Sequence, residues 1–284
     1  MTNRHISPLR YPGGKAKLLG HITQIITENN LNNGIYVEPF AGGASVALGL
    51  LLNGTVKQII INDKDRSIYA LWHSILQRCD EFCELIENTP INIESWQNQK
   101  LVQKNKSEAD LLELGFSTFF LNRTNRSGIL NAGVIGGINQ TGHYKIDVRF
   151  NKLELINRIR RIADIRDNII VLNQDAVDLL TTKDGYLQGE KVFIYLDPPY
   201  YVKGQNLYLN YYRDEDHKVI ADILSTTTCF KWAVSYDNVE FIRNLYKGFR
   251  STQFQLNYSA NKSGKGNEII FYSNDLKIPN TTVI

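Results

Sequence analysis

The chain has 284 residues, a hydrophobic fraction of 43% and a formal net charge of +3. This length suits one large domain or a core domain with a sizeable insertion, and the composition predicts a buried core. The three cysteines, Cys79, Cys83 and Cys229, suit neither a disulfide framework nor a metal site, so we expect reduced thiols. No signal-peptide pattern opens the sequence, and the longest apolar stretch, 44–52, is too short to span a bilayer. These features predict a soluble intracellular protein.

The charge is unevenly distributed along the chain. Residues 122–166 contain nine Lys or Arg and three Asp or Glu, a net +6, whereas the remainder carries about −3. A total of +3 is too small to indicate a polyanionic partner, because many soluble proteins carry as much. The distribution is more informative than the total, and it predicts that one part of the molecule is basic.

In chain order, strand patterns alternate with helix patterns. Apolar runs bounded by turn residues predict strands at 34–40, 56–61, 168–172, 192–196 and 230–235. Helix patterns follow the first three strands, over 46–52, through Leu71, Ile75 and Leu76, and from Ala176. Such alternation is typical of a parallel α/β sheet. The fold class predicted is therefore α/β.

Two segments depart from this alternation. Residues 253–258 and 268–272 flank a polar loop and predict a terminal hairpin. Residues 86–166 have helical patterns up to Leu121 and are then glycine-rich and basic. We therefore predict a core domain formed by 1–85 and 167–284, with a mostly helical insertion at 86–166.

A glycine turn follows the first predicted strand. Such a turn lets a ligand approach the backbone and directs helix N–H groups at it. Asp63 lies 21 residues beyond Gly42, which is the spacing of a ribose-binding acid in a nucleotide-binding βαβ unit. The alternative is a purely structural turn. GxGxxG spacing is not met, which disfavours NAD, and the absence of GxxxxGK[ST] excludes a P-loop.

The segment 197–200 (DPPY) directly follows a predicted strand, where open α/β sheets have their active sites. Its two prolines fix the backbone, so that a carboxylate, carbonyl acceptors and an aromatic ring are presented rigidly. These are the groups that an exocyclic amine needs in order to react. The N6 amine of adenine is a poor nucleophile, because its lone pair is delocalised into the ring. Hydrogen-bond acceptors on both of its N–H bonds favour the pyramidal amine that can attack a methyl sulfonium. We assign these acceptors to the Asp197 carboxylate and the Pro198 carbonyl, with Tyr200 stacking on the base for about 1–3 kcal/mol. The alternative is a turn with an N-cap acid.

Three motifs in this order resemble the Dam-type, alpha-group class of DNA adenine N6-methyltransferases: 10–15 (RYPGGK), 38–43 (EPFAGG) and 197–200 (DPPY). The resemblance implies a Rossmann-like S-adenosylmethionine-dependent methyltransferase fold whose helical insertion recognises the target. It implies transfer of a methyl group from S-adenosyl-L-methionine to N6 of an adenine flipped out of double-stranded DNA. The expected role is restriction-modification or orphan or phage methylation.

The resemblance also implies roles for individual residues. Catalytic roles fall on Asp197, Pro198, Pro199 and Tyr200. Cofactor contacts fall on Tyr11, Gly14, Lys15, Glu38, Pro39, Phe40, Gly42, Gly43, Asp63, Asp175 and Asp197. For Lys15 the alternative is a solvated surface lysine, and for Asp175 it is a helix N-cap. No metal is implied.

Residues 120–128 (FLNRTNRSG) resemble the family's target-recognition segment, and the terminal loop resembles its basic C-terminal segment. DNA contacts are thereby implied for Asn122, Arg123, Asn125, Arg126, Ser127, Lys262 and Lys265. Beyond Gly128 the sequence departs from the Dam pattern, so recognition of GATC is not established. Arg123 and Arg126 read guanine edges or hold phosphates. The cluster Arg158, Arg160, Arg161 and Arg166 forms a phosphate-facing or a solvated surface.

Two rival hypotheses stay open. A DNA-binding module without catalysis would have damaged motifs, which this sequence does not have. A related enzyme could act on cytosine N4, RNA adenine or a protein glutamine, but Asp197 as the first motif residue favours DNA adenine. The resemblance implies a cytoplasmic protein, bacterial or phage-encoded, with double-stranded DNA as partner and a cognate restriction endonuclease as a candidate partner. It leaves the recognition sequence and the oligomeric state open.

Overall fold

The computed structural model describes residues 6–10, 15–182, 185–187, 189–201, 212–258 and 264–279, of which 186, 255–258 and 264–266 are described by backbone alone. Within these ranges the chain divides into two compact units. The sheet unit comprises 15–62 and 174–284, and the helical unit comprises 1–14 and 63–173. No described helix has the length and apolar character needed to cross a membrane.

The elements in chain order are α1 (Leu19–Glu28), β1 (Ile35–Glu38), α2 (Ser45–Leu52), β2 (Gln58–Asn62), α3 (Arg66–Gln77), α4 (Cys79–Asn88), α5 (Ile93–Lys104), α6 (Leu111–Thr124), α7 (Lys152–Ala163), β3 (Ile169–Leu172), α8 (Ala176–Thr181), β4 (Val192–Leu196), α9 (Asp214–Thr226), β5 (Lys231–Asp237), α10 (Glu240–Leu245), β6 (Arg250–Tyr258) and β7 (Gly264–Tyr272).

In the sheet unit, the strands run in the order β2-β1-β4-β5-β7-β6. β1 is parallel to both β2 and β4, and β4 is parallel to β5. The β6–β7 hairpin is antiparallel, and β7 also pairs antiparallel with β5. β4 is buried along its whole length, as expected for a central parallel strand covered on both faces. The chain leaves β1 toward β2 on one side and returns as β4 on the other, so the carboxyl ends of β1 and β4 meet at a topological switch point.

The helical unit packs around a cluster of phenylalanines. Phe82, Phe116 and Phe119 interact edge-to-face across α4 and α6, and Phe150 joins them from the loop before α7. α3 and α6 also pack against each other. Asp65, Asp110 and Asn151 cap helices of this unit through side-chain oxygens that accept backbone N–H groups.

The predicted α/β class is confirmed, as are the five strands, the terminal hairpin and the helices after the first three strands. Boundaries differ by up to four residues: β7 begins at Gly264 rather than at residue 268, and β2 begins at Gln58 rather than Val56. The predicted insertion, 86–166, lies wholly within the helical unit, which also contains α3 and most of α4. The functional division into core and insertion stays a prediction.

Candidate active site

The predicted catalytic motif and the predicted cofactor loop lie side by side. β1 and β4 are paired through Val37 and Ile194, so the segments that follow them leave the sheet at neighbouring positions. The glycine turn follows β1, and Asp197 follows β4. Both segments are in the sheet unit, at the switch point where α/β folds bind ligands.

The glycine turn has a strained backbone. Gly42 has a φ of +46° and Ala44 a φ of +47°, in the left-handed region that glycine adopts at little cost. Asn62, at the end of β2, donates to the Pro39 carbonyl at 2.9 Å and accepts from the Gln174 amide at 2.9 Å. This buried asparagine therefore fastens the cofactor loop to the segment before α8. Phe40 and Gly43 lie in the same turn, and Phe40 is half-buried.

Glu38, at the end of β1, is a buried carboxyl group. One of its oxygens accepts from the Tyr36 hydroxyl at 3.0 Å and from the Ala47 amide at 3.1 Å. Burial raises the pKa of Glu38 to about 8, although these two hydrogen bonds oppose the shift. At neutral pH the group is therefore largely protonated, and it ties β1 to the first turn of α2.

Asp197 is held through one of its two oxygens. Ser235 on β5 donates to Oδ1 at 2.8 Å, and Lys15 Nζ lies 3.0 Å from the same atom. Because Ser235 donates to Asp197, its oxygen is left to accept from Tyr195, whose hydroxyl lies 2.7 Å away. Among the described residues no donor contacts Oδ2, and the side chain is 27% exposed. Asp197 thus has one fixed oxygen and one available to an incoming N–H group.

Lys15 is buried, which rules out the solvated surface alternative. Its ammonium group donates to the Tyr200 hydroxyl at 2.9 Å and lies 3.1 Å from Glu268 Oε2, in addition to Asp197. Burial lowers the pKa of Lys15, but the two carboxylates outweigh it and the net shift is upward. For Asp197, burial raises the pKa. The charge of Lys15 opposes this shift, and the charge of Glu268 adds to it.

Tyr200 is 6% exposed, and its hydroxyl donates to Glu268 Oε1 at 2.6 Å. The next residue, Tyr201, donates its backbone N–H to Asp237 at 2.9 Å and stacks on Phe241 with ring centroids 4.6 Å apart. His217 lies edge-on to Tyr201. These contacts fix the backbone that follows the two prolines.

Asp175 and Asp63 each bind a backbone amide. The Asp175 carboxylate accepts from the Val177 amide at 2.9 Å as the N-cap of α8, the alternative raised from the sequence. Asp63, in the helical unit, accepts from the Asp65 amide at 2.9 Å. Three predictions fall on residues outside the described ranges, Tyr11, Gly14 and Lys262, and of Lys265 only the backbone is described.

The predicted DNA-contact segment lies in the helical unit and contains two buried asparagines. Asn122 accepts from the Arg10 amide at 2.7 Å and donates to the carbonyls of Arg10 and Gly128. Asn125 accepts from the Trp96 indole at 2.6 Å and donates to the carbonyls of Ile129 and Leu130. Both amides hold loop backbone in place rather than facing solvent.

The arginines of this segment differ from each other. Arg123 donates to the Arg149 carbonyl at 2.7 Å and to the Pro8 carbonyl at 3.4 Å, and burial, with the charges of Arg10 and Arg158, lowers its pKa to about 10. Arg126 is exposed, and among the described residues no acceptor contacts its guanidinium. Ser127, beside it, has a φ of +57°.

Arg158, from the predicted basic cluster, donates to the Ser7 carbonyl at 2.8 Å and pairs with Glu154. Arg160 and Arg161 are exposed on α7, and Arg160 also interacts with Cys83. Arg166 begins the turn before β3. The whole cluster is in the helical unit. Part of it is therefore structural, and the exposed part presents positive charge.

Comparison with known proteins identifies the family. The family model of the D12 class N6 adenine-specific DNA methyltransferases matches residues 11–260. The chain belongs to this family. The Type II methyltransferase M.MjaIII of Methanocaldococcus jannaschii is 26% identical over 271 residues, covering 85% of this chain and 88% of that protein. The Type II methyltransferase M.CviBI of Paramecium bursaria Chlorella virus NC1A is 22% identical, covering 88% and 90%.

Two further similarities were found for this D12 class methyltransferase. The modification methylase StsI of Streptococcus sanguinis is 29% identical over 71% of this chain, which corresponds to 30% of that protein. Among solved structures, the rRNA methyltransferase aviRa from Streptomyces viridochromogenes gives a TM-score of 0.37 at 12% identity, covering 92% of this chain and 86% of that chain. The family match confirms the resemblance stated from the sequence, and with it the assignment as an adenine-specific DNA methyltransferase.

In the methyltransferase, the structure brings Lys15, Glu38, Gly42, Asp197 and Tyr200 together in one unit. Sequence reasoning missed Ser235, Asn62 and Glu268, which hold these groups. Ser235 and Glu268 lie on β5 and β7, and no motif signals them. The position of Ser235 follows from the pairing of β5 with β4, and that of Glu268 from the pairing of β7 with β5.

Proposed function

We propose that this methyltransferase transfers a methyl group from S-adenosyl-L-methionine to N6 of an adenine flipped out of double-stranded DNA, with Asp197 as the acceptor of an amine hydrogen. The observation that carries the proposal is the asymmetry of Asp197: Oδ1 is fixed by Ser235 and Lys15, whereas Oδ2 meets no donor among the described residues. A rigid carboxylate with one available oxygen suits a substrate N–H group.

The residues present fit this cofactor. Gly42 adopts a left-handed backbone directly after β1, which permits close approach of a ligand, and α2 starts at Ser45 without a side-chain cap. We propose that this turn, with Glu38 and Phe40, holds the cofactor together with Lys15, Pro39, Gly43 and Asp175. Tyr11, Gly14 and Asp63 remain proposed cofactor contacts from the sequence. When bound, S-adenosylmethionine supplies a methyl group on a positively charged sulfur.

For the amine, Asp197 Oδ2 accepts one N6–H and the Pro198 carbonyl accepts the other, which concentrates the nitrogen lone pair toward the methyl carbon. Methylation would make one N6 proton acidic, and Asp197 Oδ2 is the atom that would take it. Burial and the charge of Glu268 raise the pKa of Asp197, so this carboxylate is a better proton acceptor than an exposed one. The Tyr200 ring supports the flipped base.

We propose that DNA contacts the helical unit through exposed Arg126 and half-buried Ser127. Asn122, Asn125 and Arg123 then act as positioning residues through their hydrogen bonds to backbone carbonyls. Tyr144 and Ile138, in the loop that follows, are exposed and present apolar surface. Lys262 and Lys265 remain proposed DNA contacts from the sequence. A cytoplasmic role in restriction-modification or in orphan or phage methylation fits a DNA substrate.

One experiment tests this function. Expression in a host without adenine methylation, followed by mapping of methylated adenines across its genome, should yield N6-methyladenine in a defined sequence context. The Asp197→Ala variant, expressed to the same level, is the matched control and should yield none. N4-methylcytosine, or no DNA methylation by the wild-type protein, would contradict the proposal.

A further inference from the structure

Glu268 is a buried carboxylate that the proposed reaction does not use directly. It lies on β7, where its backbone is paired with Asp237 of β5 and Phe254 of β6. Its side chain is 1% exposed. A buried charge is costly unless it is paired and hydrogen-bonded, so its partners indicate what it does.

Among the described residues, two partners of Glu268 belong to the catalytic region. Tyr200 donates its hydroxyl to Glu268 Oε1 at 2.6 Å, and Lys15 lies 3.1 Å from Glu268 Oε2. Lys15 also donates to the Tyr200 hydroxyl, which closes a ring of three contacts. An O–H donor on a carboxylate at this distance is a strong, charge-assisted hydrogen bond. Glu268 therefore fixes Tyr200, the last residue of the DPPY motif, and Lys15, the cation beside Asp197.

We propose that Glu268 is a positioning residue for methyl transfer: it orients Tyr200 under the target base and shares the charge of Lys15, so that Asp197 keeps its strength as an acceptor. The inference rests on the proposed function. It adds a residue outside all of the recognised motifs, contributed by the antiparallel hairpin.

The charges around Lys15 determine how strong a base Asp197 is. Lys15 is the cation beside Asp197, and a simple Lys–Asp pair would weaken the carboxylate as a proton acceptor. A second carboxylate on the other side of Lys15 reverses part of this effect. Among the described residues, the other titratable groups that interact with Asp197 are Tyr195, Tyr36 and largely protonated Glu38. Loss of the Glu268 charge should thus make Asp197 a weaker base.

The test compares Glu268→Gln with Glu268→Asp in steady-state and single-turnover methylation of duplex DNA carrying the mapped site. We expect Glu268→Gln to lower kcat by about tenfold or more, the cost of mispositioned groups, with little change in the KM for S-adenosylmethionine. Activity is lost as pH falls through the pKa of Asp197. Because Glu268 raises that pKa, the acidic limb of the kcat profile should move to lower pH in Glu268→Gln. Glu268→Asp keeps the negative charge, so the acidic limb of its kcat profile should stay at the pH of the wild type.

Three controls make the outcome decisive. Glu240→Gln removes an exposed carboxylate on α10 and should leave kcat and the limb unchanged. Thermal unfolding checks that each variant is folded. If Glu268→Gln does not fold, Tyr200→Phe removes the hydroxyl that Glu268 accepts and should lower kcat while the limb stays in place.

An unmoved limb in Glu268→Gln, or wild-type kcat in either Glu268→Gln or Tyr200→Phe, would overturn the positioning role. Absence of methylation by the wild-type protein would instead contradict the proposed function. The two failures are therefore distinguished by the wild-type assay.

Discussion

Ser235 donates a hydrogen bond to Asp197 Oδ1 at 2.8 Å, from the strand next to the one that Asp197 follows. Ser235 is itself fully buried and lies 2.7 Å from the Tyr195 hydroxyl. The orientation of the Asp197 carboxylate, the proposed catalytic group, is thus set by the interior of the sheet. Ser235 should therefore affect methyl transfer through Asp197, without touching the substrate.

Ser235→Ala should lower kcat by about tenfold, because Asp197 loses the donor that fixes Oδ1 and gains rotational freedom. The hydrogen bond from Ser235 lowers the pKa of Asp197, so its removal should raise that pKa. The acidic limb of the kcat profile should then move to higher pH, opposite to the shift expected for Glu268→Gln. Steady-state methylation across the pH range measures both effects. Tyr195→Phe, one contact further away, is the matched control, and equal effects of the two variants would contradict the argument.

Asp197→Ala should abolish methyl transfer and leave cofactor binding largely intact, because the carboxylate acts on the acceptor amine. We expect a loss of about a thousandfold or more, the scale of a contact made in the transition state. Single-turnover methylation measures the loss, and calorimetric titration with S-adenosylmethionine measures binding. Asp197→Asn keeps a carbonyl oxygen as acceptor and should retain more activity than the alanine variant. Turnover by Asp197→Ala near the wild-type rate would refute the assignment.

The features that could be predicted from the sequence are those that local patterns encode. A buried strand followed by a glycine turn led to Gly42, and a buried strand followed by DPPY led to Asp197. Both residues follow neighbouring parallel strands in the structure, which brings the segments after their carboxyl ends to one edge of the sheet. Lys15 was predicted from its motif, and its burial agrees with a role in the site.

The features that could not be predicted depend on pairing between distant segments. Ser235 reaches the site because β5 pairs parallel with β4, and Glu268 reaches it because β7 pairs antiparallel with β5; no local pattern contains either register. Asn122 and Asn125 illustrate the opposite error, since the motif gave their identity but not the direction of their side chains. Their amides bind loop carbonyls inside the helical unit.

Glu38→Gln should change how stability depends on pH. The native protein holds the Glu38 proton up to about pH 8, whereas an ordinary glutamic acid releases it near 4.5, so the native state binds more protons between these values. The contribution of this group to stability is therefore fully present below pH 4.5 and is lost as pH rises toward 8, with a slope of up to about 1.4 kcal/mol per pH unit.

Glutamine mimics the protonated acid and can still accept from Tyr36 and Ala47. The variant should match the wild type near pH 5 and exceed its free energy of unfolding at pH 8. Urea unfolding at pH 5, 6.5 and 8 measures the difference, with Glu28→Gln on the exposed end of α1 as control. Parallel curves for wild type and Glu38→Gln would show that Glu38 is ionised in the folded protein.

Arg123→Ala and Arg126→Ala should differ in kind. Arg123 holds the carbonyls of Arg149 and Pro8, so its removal should cost about 1–2 kcal/mol in the free energy of unfolding. Arg126 is exposed, so its removal should leave stability unchanged and weaken DNA binding. Thermal unfolding and binding to duplexes with and without the mapped site separate the two effects.

The salt dependence of binding then defines what Arg126 contacts. A phosphate contact predicts a similar loss on both duplexes and a salt slope reduced by about 1, whereas a base contact predicts a loss of about 1–3 kcal/mol confined to the specific duplex. Arg161→Ala, which removes an exposed arginine from α7, is the matched control for charge. Full affinity and full discrimination in both Arg123→Ala and Arg126→Ala would remove this segment from the DNA interface, since an exposed guanidinium at a reading position must contribute to at least one of the two.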